Sequence, residues 1–175
     1  MFRCLRSFRK ARSGTAAIEF AFIAPILLLM FAGIVEIGGL FQVYNSANRL
    51  ATQYAITWSD CSDLPVGSCN TELTSFASSN LSANLVPQLN ASALTLRMFQ
   101  VSMSGTTPNV TYVFPSGSTL SASEVSAAQG VLTTGQAGVI VTATYVHTLK
   151  YFPTTMASYL SSLLTVSFTS TQLKG

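Results

Sequence analysis

Charge is scarce in this sequence. Of 175 residues, only 9% are charged, where ordinary globular domains carry about 25%. A disordered chain would need more charge and less apolar content, and 49% of this one is hydrophobic. A typical cytosolic enzyme would also carry more charge. There is one histidine, His147. With Asp60 and Asp63 in a distant loop, no hydrolytic triad can be assembled around it, and a structural role is expected for it. The three cysteines show no CxxC spacing, so no zinc site or other metal centre is expected. Asp60 and Asp63 alone are too few oxygen ligands for a calcium loop. The glycines lack the spacing of a phosphate-binding loop. No cofactor and no enzymatic activity are therefore expected. A second long apolar run is missing too, so the chain is expected to cross a membrane once.

What charge there is has an uneven distribution. Arg3, Arg6, Arg9, Lys10 and Arg12 fill the start of the chain without an acid among them. Beyond Ser13, four basic residues face six acidic ones. A nucleic-acid-binding domain would spread its basic residues over a folded face, so no nucleic-acid partner is expected. Directly behind the arm comes an apolar stretch, Thr15 to Phe41. Within it, the residues between Glu19 and Glu36 carry no charge. As a helix this stretch is long enough to span about 30 Å of hydrocarbon. The basic arm predicts a cytoplasmic N-terminus and an exported C-terminal part.

Three readings of this segment compete. A cleaved secretory signal peptide needs a shorter apolar region and a small-residue cleavage site, whereas Glu36, Gly38 and Gly39 stand where that site would fall. A plain signal anchor explains arm and span but leaves Glu19 without a purpose. A carboxylate inside an apolar helix costs about 2.5–3.5 kcal/mol at the bilayer centre and less near the edge. The third reading gives Glu19 a partner. A cut after Gly14 would make Thr15 the first residue, and its new α-amine would be a cation for Glu19 of a neighbouring helix.

The stretch Arg12-Ser13-Gly14-Thr15-Ala16-Ala17-Ile18-Glu19-Phe20-Ala21-Phe22-Ile23-Ala24-Pro25 resembles the N-terminus of TadE-like proteins, the pseudopilins or minor pilins of tight-adherence (Flp, type IVc) pilus systems. The shared pattern is basic residues, glycine, four small or apolar residues, Glu-Phe-Ala, and an apolar helix interrupted by proline. Val139–Pro153 is also similar to that family's strand followed by Phe-Pro. The resemblance implies a prepilin peptidase that cuts between Gly14 and Thr15, with Glu19 and Phe20 serving recognition and assembly. It implies other pilins or pseudopilins and a pilus assembly platform as partners, beside the lipid bilayer. The implied location is the bacterial inner membrane, single-pass, with the head periplasmic or extracellular and the protein available for incorporation into a pilus. A long N-terminal helix carrying a compact head is the pilin-like plan it implies.

The residues of the helix point the same way. Ala17, Ala21, Ala24 and Leu28 form one stripe at helical spacing, and small residues let membrane helices approach closely. Lipid-facing alanines without a partner are the plainer reading. Pro25 is expected to kink or loosen the helix. Glu36 lies about 30 Å along the axis from Ala16 and is expected to mark the outer boundary, where a charge is cheap. Beyond it Tyr44, Ala47, Ala51, Tyr54, Ala55 and Trp58 recur at three- and four-residue spacing, predicting an amphipathic continuation to about residue 57. The expected division is a basic cytoplasmic leader over 1–14, a membrane helix over 15–41, an amphipathic extension over 42–58 and an exported head over 59–175.

The head is rich in serine and threonine, of which the chain has 43. Asp60–Asn70 is expected as a loop, bracketed by Cys61 and Cys69. A disulfide between them would close a short loop and contribute about 2–3 kcal/mol; free or metal-binding thiols are the other reading. Cys4 would leave with the arm. Asn70 is expected to cap a helix bearing Leu73, Phe76, Ala77, Leu81 and Leu85. Four period-two segments follow, around Leu94–Met98, Val110–Phe114, Val139–Tyr145 and Leu164–Phe168. They predict a half-buried antiparallel sheet. Ser121 and Glu124 form a capping-box signature for a short helix between the second and third strands. The triplets at Asn80, Asn90 and Asn109 match the N-glycosylation pattern, which Ser/Thr-rich chains also produce by chance. The expected class is α+β: a long membrane-spanning helix and a head with about four antiparallel strands and one or two short helices.

Overall fold

A computed structural model describes residues 13–61, 66–78, 89–151 and 158–174. The basic arm through Arg12, including Cys4, lies outside the described residues. So do Asp63, Asn80, Leu81, Leu85 and Pro153.

The fold is α+β, as expected. It opens with helix α1 (Ser13–Ser59), 47 residues long and therefore about 70 Å from end to end. The chain places only one helix breaker inside it, Pro25, and α1 is continuous through that residue. Proline has no N–H to give, so the Ala21 carbonyl loses its usual partner one turn on. Glycines at 33, 38 and 39 also lie within α1, where hydrogen bonding inside the helix outweighs their modest cost.

The distal half of α1 packs on the sheet. Val43, Ala47, Leu50, Ala51, Tyr54, Ala55 and Trp58 are all buried, at intervals of three and four residues. Three alanines in that stripe, with no exposed surface at all, bring the helix axis close to the strands. Tyr44 is not part of the seam: it stays 46% exposed, and its ring meets Phe168 edge-on at 5.5 Å. Val43 takes its place in the seam, and Leu50 joins the stripe as a further buried residue.

Helix α2 (Val66–Ser78) begins inside the segment expected as a loop. Asn70 sits within it rather than capping it, because its side chain is taken by a tertiary bond. Trp58 Nε1 donates to Asn70 Oδ1 at 2.7 Å. Cys61 and Cys69 are joined in a disulfide with 6.0 Å between their Cα atoms. Together they fasten α2 to the end of α1.

The four strands are β1 (Leu94–Ser104), β2 (Thr107–Phe114), β3 (Ala137–Val146) and β4 (Thr165–Leu173). They form one antiparallel sheet in the order β2-β1-β3-β4. β1 and β2 join through a two-residue turn in which Gly105 has φ +63°, a conformation that favours glycine. Helix α3 (Ala122–Val131) crosses from β2 back to β3. A one-turn helix, α4 (Ser161–Leu164), leads into β4.

The expectation of a half-buried sheet needs correction at its centre. Leu96, Met98, Val139, Val141, Ala143, Tyr145 and Val166 face α1. Phe99, Val101, Met103 and Ile140 point the other way and pack with Ala128 and Leu132. The middle strands are therefore buried on both faces, because α3 covers the second one. The sequence shows α3 through its capping box, present as read: Glu124 Oε2 accepts from Ser121 N at 2.7 Å. Glu124 has no exposed surface, yet its carboxylate is fully used. It pairs with Arg97 at 3.2 Å and accepts from Thr142 Oγ1 at 2.8 Å. A buried charge is tolerable only with such partners.

Candidate functional site

The two halves of α1 have opposite surroundings. From Ile18 to Val35 the large apolar side chains stand exposed, with Phe20 at 66%, Phe22 at 76% and Leu28 at 69%. The most apolar window of the helix has none of its residues buried inside the structure. Its length and hydropathy are enough to cross a membrane, which is consistent with a single-pass membrane anchor. An apolar surface of this extent exceeds the patches that soluble monomers ordinarily leave open and marks a membrane or protein contact.

Gly14 and Thr15 lie at the very start of α1, and both are exposed. A Cβ added at Gly14 would meet no atom within 4 Å. Glu19 is exposed four residues on and makes no ion pair among the described residues. Phe20 stands beside it on the open surface. Ala17 and Ala21 are exposed and Ala24 nearly so, so the small-residue stripe faces outward, away from any part of the head. Pro25 is exposed too. These residues lie along the open first half of the helix, and no other described residue covers them.

Where the span ends, the head begins, and Glu36 joins the two. The expected boundary marker is buried, at 8% exposure. Its Oε1 accepts from the backbone N–H groups of Lys150 at 2.5 Å and Tyr151 at 2.7 Å. Its Oε2 lies 3.3 Å from His147 Nε2. One carboxylate thus satisfies three donors on the segment leaving β3. His147, at 9% exposure, packs against Gly39, where an added Cβ would sit 3.8 Å from the imidazole Cε1. Spacing alone had no means of pairing residues 36 and 147; the one available signal was that each is a titratable group in an otherwise apolar run.

A cleft of about 440 Å³ opens beside this junction, lined by Gln42, Val43, Asn90, Tyr145, His147, Thr148 and Lys150 among others. Tyr145 Oη accepts from the Asn90 backbone N–H at 3.2 Å. No cluster of three histidine, cysteine or acidic side chains placed to hold a metal occurs among the described residues. The chemistry here is that of a fastening: donors and acceptors saturate one another across the helix–head contact.

Fold and site together define a head of mixed α and β structure carried on a long apolar helix, its first half free of the head and its second half built into it. Residues 14–55 match the family model of TadE-like proteins. That match and the resemblance carried by Arg12–Pro25 name the same family. It takes in the exposed apolar half of α1, Glu36, and most of the buried stripe. No curated protein and no solved structure matches the chain.

Proposed function

We propose that this protein is a minor pilin or pseudopilin of a tight-adherence (Flp) pilus system, acting as a structural subunit and not as an enzyme. The observation that carries the reading is the TadE-like match over residues 14–55, falling on a helix whose apolar half is bare of its own head. The precursor sits in the bacterial inner membrane with the basic arm in the cytoplasm and the head outside it. A prepilin peptidase cuts between Gly14 and Thr15. Glu19 then meets the α-amine of a neighbouring subunit, so that its cost in lipid is offset only on assembly. Phe20 lies beside it for recognition, and Ala17, Ala21 and Ala24 let neighbouring helices approach closely. The assembly platform and other pilins are the partners, and surface adhesion is the purpose of the filament.

N-terminal sequencing of the membrane-associated protein tests this directly. A chain starting at Thr15 is the expected result. A start at Met1 would instead mean an uncleaved, signal-anchored envelope protein, and a start beyond Val35 a cleaved secretory protein.

A further inference from the structure

The end of the sheet nearest Glu36 carries a group of exposed apolar side chains that neither the core nor the pilin reading uses. Tyr151 is 62% exposed, Tyr159 88%, Leu160 36% and Leu163 66%. Their position is fixed by a short chain of contacts. Glu36 accepts from Tyr151 N at 2.7 Å and lies 3.3 Å from His147. The His147 N–H in turn donates to the Leu164 carbonyl at 2.9 Å. The turn of α4 is closed by Leu163 N and Leu164 N donating to Leu160 O at 2.9 and 3.0 Å. These bonds place Tyr151 and the turn of α4 at the end of the sheet where Glu36 meets the head.

On α1 itself Val35, Ile37 and Phe41 are also exposed at this level, at 54%, 59% and 66%. The head's apolar rim thus lies at the end of the sheet that Glu36 ties to the apolar helix. Two tyrosines, aliphatic side chains and the exposed Lys150 are the composition found where a membrane protein meets lipid headgroups. Tyr159 at 88% and Leu163 at 66% exposure stand open with Leu160 in one short turn, and an exposed apolar group of this kind marks an interaction surface.

We propose that this rim, formed by Tyr151, Tyr159, Leu160 and Leu163 with Lys150 beside them, docks into the headgroup region of the same bilayer that α1 crosses. The head then sits down on the membrane rather than standing off on its stalk. Glu36 sets the depth, because it ties the rim to one point on the helix axis. The tyrosine hydroxyls and the Lys150 ammonium reach the headgroups while the leucines lie at the acyl boundary. The proposal rests on the membrane-anchor reading of α1, and the test separates the two.

The full chain with Cys4→Ser, disulfide intact, is placed in vesicles of phosphatidylethanolamine and phosphatidylglycerol. An environment-sensitive dye is attached at one introduced cysteine at a time: Leu163→Cys or Tyr159→Cys on the rim, Leu28→Cys in the span, Val131→Cys on the far side of the sheet. Lipids carrying a quencher near the headgroup or deep in the tails then report depth. The rim dyes should lose about half their emission to the shallow quencher, the interfacial depth expected of such anchors. Leu28→Cys should respond to the deep quencher and Val131→Cys to neither. Quenching at residue 28 with none at 159 or 163 would overturn the docking while leaving the anchor intact. A blue-shifted rim dye that no lipid quenches would mean burial against a second copy, and would overturn it as well. No quenching at residue 28 would remove the anchor and the docking together.

Discussion

Glu36 looks, in the sequence, like the charge that ends an apolar run, and it is in fact the most heavily used carboxylate at the helix–head junction. Both of its oxygens serve the segment that leaves β3. Glu36→Ala would leave two backbone N–H groups without an acceptor, at a cost of about 1–3 kcal/mol each if they stay dry. The expected outcome is local: amide exchange at Lys150 and Tyr151 should accelerate strongly in detergent-solubilised protein, while the central strands keep their protection. Tyr54 is a second residue whose surroundings decide its behaviour. Its side chain is buried against the sheet, and its hydroxyl finds no hydrogen-bond partner among the described residues. Burial raises its pKa above the ordinary 10.0. The folded protein therefore holds this proton at a pH where the unfolded chain has already released it, and stability falls as pH rises past that ordinary value. Tyr54→Phe should remove this alkaline loss without harming the fold at neutral pH, as thermal midpoints measured across about pH 9–11 will show. Periodicity placed Tyr54 on the packed stripe correctly. It could not foresee the fate of a single hydroxyl, which depends on which atoms from elsewhere stop within about 3 Å.

At the scale of elements, local signals and long-range ones part company. The capping box of α3 was legible because both of its members lie within four residues. The alternation in β1 and β3 was legible for the same reason. That Asn70 would stand inside α2 was not, since the competing partner is Trp58 on another helix. Gly138, at the start of β3, shows how tightly the second layer is pressed on. A Cβ there would lie 2.6 Å from Leu132 Cδ2 and 2.8 Å from the Gln172 carbonyl oxygen. The leucine tip has room to turn only at the expense of the smaller core cluster, and the backbone oxygen cannot move without disturbing β4. Gly138→Ala should therefore destabilise the head by about 1–3 kcal/mol, the usual cost of overpacking. Gly130→Ala, with open space around it, should be neutral or mildly stabilising in the same denaturation experiment.

For the whole molecule, the question is how a chain with so little charge stays useful in two environments. The bare half of α1 suits lipid or neighbouring helices, and the distal half suits the sheet. Changes confined to the bare half should alter processing or assembly while leaving the head folded. Gly14→Ala meets no atom within 4 Å and replaces a poor helix former by the best one, so a folding defect is not expected from it. Under the pilin reading it blocks processing, seen as retention of the precursor mass; an unchanged mature mass would count against the cut at that site. Glu19→Val should permit processing but weaken incorporation, and wild-type piliation would count against its role. The amino-acid sequence by itself determined the single apolar span, the amphipathic continuation, the strand alternation and the cap of α3. Each of these is encoded in neighbours one to four positions apart, where periodicity and caps operate. Only the tertiary structure decided that both faces of the sheet are covered, that Glu36 is a fastening rather than a marker, and that an apolar rim gathers beside it. The contacts of Glu36 join residues more than a hundred positions apart, and the second face is closed by α3 packing back on strands at either side of it in the chain; both follow from which groups the strand order brings together.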